Sequence, residues 1–291
     1  MLPRFPVVAG SFYSDSAKQC KTEIVDFTAG LSFASRIDQA IVAGIVPHAG
    51  WTFSGNIAAM VFAAIAEVNK DVDTFVIFGA AHSGIGYAGV YPSGSWESPL
   101  GQVQIDTEMA EAIIAKNPMA KADMRSHSSE HSIEVQIPFI QHFFSEAKIV
   151  PIVIPPADFA VGLGVGTAEC IKNSADKKIV CIGSTDLTHY GPKYGFEPMG
   201  GGDQGVKWAK EVNDQLFIDA ALNMDAAGII EGESENMYCC GGGAAAATVA
   251  AAKALGKTKG LLLAHANSNE VMQRLYKETS EESVGYAGIV F

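Results

Sequence analysis

The 291-residue sequence predicts one α/β domain built on a largely parallel, doubly wound central sheet with helices on both faces. Three observations point there. Short β-rich runs alternate with longer stretches of helical period. Hydrophobic residues make up 48% of the chain and charged residues 18%, a balance that suits strands covered on both faces. No linker rich in Pro, Ser or charge divides the sequence, and its length lies near the upper limit for a single core, so residues 1–291 are expected to form one domain.

The elements follow in order. Strands are expected at Ala40–Val46 (AIVAGIV), Thr74–Gly79 (TFVIFG), Lys148–Ile154 (KIVPIVI), Lys178–Gly183 (KIVCIG), Gly260–Ala264 (GLLLA) and Ser283–Phe291 (SVGYAGIVF). Pro47 marks where the first leaves the sheet, because proline cannot continue a central strand. A first strong helix is expected after Ser54, a suitable N-cap, with Ile57, Met60, Val61, Ala64, Ile65 and Val68 at helical spacing. A second apolar stripe runs Ile133, Ile137, Ile140 and Phe144, with Pro138 expected to kink it. Helices also fit Trp208 to Leu222 and Ala244 to Leu255, the latter closed by Gly256.

Composition excludes several classes of partner. The net charge of −12 and the lack of a Lys/Arg cluster argue against nucleic acid and disfavour anionic membrane surfaces. The N-terminal MLPRFPVVAGSFY has no apolar stretch long enough for a signal-peptide core, and no segment approaches about 18 uninterrupted apolar residues. A cytoplasmic protein is expected. The five cysteines lack CxxC spacing, so neither a disulfide framework nor a zinc ribbon is indicated.

Three histidines and a cysteine sit just past apolar runs: His48 in PHAGWTFSG, His82 in GAAHSG, His189 in STDLTHYG and Cys240 in YCCGGGAAAA. A parallel sheet gathers its strand ends along one edge, where residues distant in sequence meet. Imidazoles from two strand ends suit zinc, iron or copper, although a lone histidine there is more often a hydrogen-bonded structural group. Cys240, just before an alanine-rich helix, is expected to have its thiol pKa lowered by the helix N-terminus, favouring a metal-binding thiolate; the alternative is an inert thiol in a small-residue turn. Cys239 is expected to point elsewhere.

Asp186 and His189, three residues apart, suit a carboxylate orienting an imidazole for acid/base work; His189 as a third nitrogen ligand, or Asp186 as an N-cap, are the other readings. In SEHSIEVQIPF, Glu130, His131 and Glu134 fall on the first turns of an expected helix, as outer contacts to a ligand histidine or as a solvated helix start. Two GxGxxG matches, at Gly84 to Gly89 and Gly200 to Gly205, lack either the following helix or the preceding strand that dinucleotide binding needs. His127, His142 and His265 show no partner pattern, and there is no GxSxG elbow.

With PHAGWTFSG, GAAHSG, EHSIEVQIPF, STDLTHYG and the CGGG turn in order, the chain resembles the Memo family, which includes the AmmeMemoRadiSam system protein B members. RFPVVAGSFY and SVGYAGIVF look like that family's termini, so the resemblance spans the chain. It implies a fold like that of class III extradiol dioxygenases, which open catechol rings with non-haem iron. It also implies metal-site positions at His48, His82 and Cys240, the last where those enzymes place a carboxylate, and an acid/base position at His189 beside Asp186. The sequence departs from the family pattern at GAAHSG, which lacks a proline, at the extra thiol Cys239, and at ANSNEV.

The expectation is therefore a divalent metal ion, iron first and copper or zinc next, serving redox chemistry on a small-molecule substrate. A second expectation is a non-catalytic protein that binds metal or the partner proteins of the AmmeMemoRadiSam set, with the strand-end crevice as its groove. A third is a zinc hydrolase with His189 as base.

Overall fold

All six apolar runs become strands in the structure, a computed structural model that describes residues 3–291. Met1 and Leu2, the start of the N-terminal stretch read above, lie outside the described residues. In chain order the first half comprises α1 (Ala17–Thr28), β1 (Ala43–Val46), α2 (Trp51–Asn69), β2 (Thr74–Ala80), β3 (Ala88–Val90), β4 (Ser95–Ser98), β5 (Gly101–Gln104), α3 (Thr107–Lys116), β6 (Ala120–Ala122), α4 (Ile137–Phe143) and β7 (Lys148–Ile154). There follow α5 (Phe159–Asn173), β8 (Ile179–Ser184), β9 (His189–Tyr190), α6 (Asp203–Trp208), α7 (Asp214–Leu222), α8 (Ala226–Asn236), α9 (Gly242–Ala254), β10 (Leu261–Asn267), α10 (Ser268–Tyr276) and β11 (Ser283–Val290).

The main sheet runs β10-β11-β1-β8-β2-β7-β3-β6, with β9 paired to β11. Its centre is parallel, β1 to β8 to β2 to β7, while β10, β11 and the β3/β7 contact are antiparallel. The C-terminal run SVGYAGIVF therefore belongs to an antiparallel flank, because α10 returns the chain beside β10 within a short span. α2 packs on β1, β10 and β11; α9 packs on β1, β2 and β8 from the opposite side, with α5 and α8 behind it. This is the two-faced α/β layering the sequence predicts. Two strand glycines let these helices approach: a Cβ at Gly44 would lie 2.7 Å from Val61 Cγ1, and one at Gly183 would lie 2.4 Å from Thr248 Oγ1.

Several local expectations are corrected. β1 starts at Ala43 and not Ala40, because the Asn69 side chain takes both backbone groups of Ile41, accepting from its N–H at 2.9 Å and donating to its carbonyl at 2.8 Å. α2 begins at Trp51 with Gly50 in the N-cap position, and Ser54 lies inside the helix, donating to Ala49 O at 3.1 Å. The earlier start follows from Trp51, which is buried, stacks on Phe139 at 4.3 Å and donates its indole N–H to Val135 O. Pro138 sits in the first turn of α4, where no N–H is needed, so it opens that helix instead of falling in the middle of a longer one. The predicted helix from Trp208 to Leu222 is interrupted by a π-helical turn at Ala209–Asn213. Gly256, at φ +101°, closes α9 as expected.

α2 is long and apolar enough to cross a membrane by length and composition. Its Ile57, Val61, Phe62 and Ile65 are instead buried against the sheet, each worth roughly 1.5–3 kcal/mol of transfer free energy. It is the core helix of one face.

Candidate metal centre

Adjacent parallel strands β1, β8 and β2 end at the same sheet edge, with Val46 opposite Ser184 and Gly183 opposite Phe78. The loops leaving those ends carry His48, Asp186 with His189, and His82. His48 is 2% exposed, and its backbone N–H donates to Asp186 Oδ1 at 2.7 Å. Its ring Nδ1 lies 3.1 Å from Ser184 Oγ. The Ser184 hydroxyl spends its single hydrogen on Ser132 O at 2.7 Å, so towards His48 it accepts. Nδ1 of His48 therefore carries the proton, and Nε2 presents a lone pair.

His82 reaches the same state by another route. Its Nδ1 lies 3.1 Å from each carboxylate oxygen of Glu130, which also accepts from Ser132 N–H at 2.8 Å. A carboxylate behind a histidine fixes its tautomer and raises its basicity, an arrangement typical of metal-binding imidazoles. The Glu130 hydrogen bond outweighs desolvation and holds His82 above its ordinary value. Burial works against ionising Glu130, but the hydrogen bond and charge of His82, with the Ser132 amide, bring its carboxyl down to about 2. Burial, reinforced by the neighbouring His131 and His82 rings, pushes His48 well down, so its imidazole is neutral.

His131 stacks on His82 at 4.8 Å with planes 15° apart, and stands edge-on to His48 at 5.5 Å. Ligand atoms of His48, His82 and His131 lie within 4.8 Å of one another. His131 is thus inside the cluster, closer than the outer-contact role expected for it, and burial lowers its pKa. Glu130 contacts a cluster histidine as expected, but it precedes the helical turn at Glu134–Gln136 and does not lie on it. Glu134 faces away, accepting from Arg4, from the amides of Val7 and Val8 at 2.9 Å, and from Tyr13 at 3.1 Å. The helix start expected at Glu130 comes only at Glu134, because residues 130 and 131 are irregular and Ser132 and Ile133 form a turn.

Cys240 Sγ lies 3.2 Å from His48 Nε2, and its backbone N–H donates to Asp186 O at 3.2 Å. Ligands of one ion with bonds of about 2.0 and 2.3 Å at roughly right to tetrahedral angles stand about 3.1–3.5 Å apart, so the pair fits a common ion. The lowered thiol pKa expected from the helix N-terminus is not found. Burial, with the nearby Asp186 carboxylate, pushes Cys240 strongly up, and burial does the same to Cys239. The next amide that would stabilise a thiolate, Gly241 N–H, is committed to Thr185 Oγ1 at 2.9 Å. In the absence of a cation the thiol keeps its proton, directed at the His48 lone pair.

His189 donates Nδ1–H to Leu187 O at 3.0 Å and stands edge-on to Tyr194 at 5.0 Å. Its ring is oriented by a backbone carbonyl, while the Asp186 carboxylate holds the His48 and Ala49 amides. Burial raises Asp186, partly offset by His189 and those amides. Asp186, His189 and the three clustered histidines share one cavity of about 500 Å³, walled by Phe12, Phe53, Tyr194, Met272 and Tyr286, with Lys193 at its lining. Ser184 and Ser132 escaped the sequence reading. The only hint of Ser184 was a polar residue ending an otherwise apolar strand.

The sequence profile of the Memo family, described as Memo-like protein, matches residues 4–290. The chain belongs to the Memo family. A MEMO1 family protein of Thermococcus onnurineus is 38% identical over 99% of both chains. MEMO1 family proteins of Pyrobaculum aerophilum and Methanopyrus kandleri are 36% and 35% identical, each covering 100% of this chain and 99% of the relative. These relatives match the chain along its whole length.

Proposed function

We propose that this Memo-family chain is a metal-dependent redox protein whose mononuclear site is formed by His48, His82 and Cys240, with His131 beside them and with His189 and Asp186 handling protons. One observation carries the reading: both His48 and His82 have their Nδ1–H groups engaged by protein acceptors, Ser184 and Glu130, which turns two Nε2 atoms toward a three-histidine cluster with His131, and the Cys240 thiol stands 3.2 Å from one of them, that of His48. Such a donor set suits iron first, with copper or zinc as alternatives, and a bound ion with open positions supplies redox or Lewis-acid chemistry to a small molecule in the cavity.

The chain's own groups divide the remaining work. The apolar walls from Phe12, Phe53, Met272 and Tyr286 exclude water and give a small ring-bearing substrate a surface to pack on. His189, with its Nδ1–H committed to Leu187, offers Nε2 as the proton acceptor facing the cavity. Asp186, whose carboxyl is raised by burial, is the neighbouring group able to hold a proton. Catechol-ring opening rests on fold analogy alone.

The test is metal content of untagged protein, repeated for His82→Ala, His131→Ala and Cys240→Ala. One ion per chain is expected in the parent, lost in His82→Ala and bound at least about tenfold more weakly in Cys240→Ala. Unchanged content in Cys240→Ala would remove sulfur from the site, and loss in His131→Ala alone would replace it by a three-histidine set. Zinc occupancy with ester or amide hydrolysis, and no O₂ uptake, would replace the redox reading by a hydrolytic one.

A further inference from the structure

Behind the loop that carries His189 lies a second buried polar group that the metal site does not use. Asp214 is 1% exposed, at the point where the π-helical turn Ala209–Asn213 gives way to α7. Its Oδ1 accepts the backbone N–H of Thr188 at 3.0 Å and its Oδ2 accepts from His265 Nε2 at 3.0 Å. Its neighbour Asn213, equally buried, donates to Thr188 Oγ1 at 3.1 Å and to Asn236 O at 2.9 Å. The fold leaves room for this carboxylate at a specific cost: a Cβ at Gly285 would lie 2.2 Å from Asp214 Oδ2.

A buried carboxylate–imidazole pair is a poor way to gain stability, since an apolar pair of similar volume does as well. What this pair does supply is direction. Thr188 N–H is bound by Asp214, Thr188 O accepts from Gly285 N–H at 3.1 Å, and Leu187 N–H donates to Gly285 O at 2.7 Å. The Leu187 carbonyl so fixed is the acceptor that holds His189 Nδ1–H. π turns recur at functional sites, and this one brings two adjacent polar side chains onto one residue of the loop.

We propose that Asp214, itself held by His265, is a positioning residue for His189: by fixing the Thr188 peptide it keeps the Leu187 carbonyl on Nδ1 and so sets both the tautomer of the ring and the direction in which Nε2 meets the cavity. The proposal rests on the reading of His189 as the proton-handling group. Its test is chosen to stand apart from the metal assignment.

Full-length protein labelled with ¹⁵N-histidine and dialysed against a chelator is observed by NMR, with the His189 ring assigned from the missing signals of His189→Gln. The parent is expected to show a single tautomer, with well-separated Nδ1 and Nε2 resonances. In Asp214→Ala the two resonances converge as tautomers exchange, while the buried His127, bonded to Gly89 O, keeps its shifts and reports an intact fold. Asp214→Asn, which retains an acceptor for Thr188 N–H, restores most of the separation. A merely structural Asp214 would lower the thermal midpoint and leave the His189 ring shifts alone, and that result in folded Asp214→Ala overturns the proposal. Should Asp214→Ala not fold, His265→Gln decides: partial convergence supports the pair, and parental His189 shifts refute it. No metal is present in the measurement, so a failed ligand assignment at His48, His82 or Cys240 leaves its outcome unaffected.

Discussion

Glu130 and Glu134 stand four residues apart in one motif and do opposite kinds of work. Glu134 is saturated: Arg4, two backbone amides and the Tyr13 hydroxyl all donate to it, and Arg4 in turn lies over the Trp96 ring at 4.3 Å and donates to His127 O. Every strong donor around it is spent within the fold. Glu130 also holds the backbone amides of Ser132 and His82, but on the His82 ring it engages one nitrogen and leaves the other free. Ser184 likewise engages only Nδ1 of His48, whose Nε2 faces the Cys240 thiol. A buried polar cluster whose hydrogen bonds all close on themselves is a structural tie, whereas one that ends in unshared lone pairs is built to receive something else.

The sharpest way to break this comparison is at the saturated end. Glu134→Gln leaves the buried Arg4 guanidinium without its counter-charge, and removal of one partner of a buried pair costs about 3–5 kcal/mol. Chemical denaturation should show that loss, while metal content per folded molecule stays at the parental value. Equal damage to metal binding would merge the two glutamates into one role. At the open end, Glu130→Gln should weaken metal binding by about 10–100-fold through loss of the carboxylate behind His82, as read by competition with a chelator, with a smaller effect on unfolding. A variant that unfolds readily and binds metal normally would make Glu130 a second Glu134.

Much of the fold and of the histidine placement was legible in the sequence, and the exceptions have physical causes. Strand ends could be placed because Pro47 after β1, Gly79 near the end of β2 and Gly183 near the end of β8 close apolar runs, and residues beyond such points on adjacent parallel strands must share an edge. His48 and His82 were found in this way. The division of labour between Glu130 and Glu134 was not legible, because it depends on residues 131–133 being non-helical and on Arg4, 126 and 130 residues away, reaching back to them. Likewise His265 carried no pattern, since its partner Asp214 is 51 residues distant and is brought to it by a π turn that periodicity cannot announce. At Cys240 the thiol pKa runs opposite to the sequence expectation because burial outweighs proximity to a helix N-terminus, and depth of burial is not written in the local sequence.

Glu233 sharpens the comparison from a third side, as a carboxyl that is neither saturated nor serving a histidine. Among the described residues its Oε2 has no hydrogen-bond partner, and burial, eased only by the Gly242 amide, raises its pKa from 4.5 to about 7. A carboxyl whose folded-state pKa is raised binds its proton more tightly folded than unfolded, so it penalises folding increasingly as pH rises from about 4.5 through about 7. Glu233→Gln should therefore match the parent below pH 4.5 and exceed it in stability by roughly 1–3 kcal/mol above pH 7. Equilibrium unfolding at several pH values checks this, and a variant less stable at high pH would mean that the carboxylate has a donor after all.

The smallest expected effect is at Ser184, and it tests how an open cluster is held. Ser184→Ala removes the acceptor on His48 Nδ1 along with the donor to Ser132 O, yet the His48 ring stays confined by burial and by the Asp186 bond to its backbone. Stability should fall by about 1 kcal/mol, the net worth of a buried hydrogen bond. Metal affinity should fall severalfold, less than for Glu130→Gln, because His82 is the more exposed ring and depends on its carboxylate for orientation, whereas His48 is fixed by packing. If a chelator competition instead ranks Ser184→Ala as the more damaging, the hydroxyl and not the carboxylate is the contact that keeps the lone pairs of this site aligned.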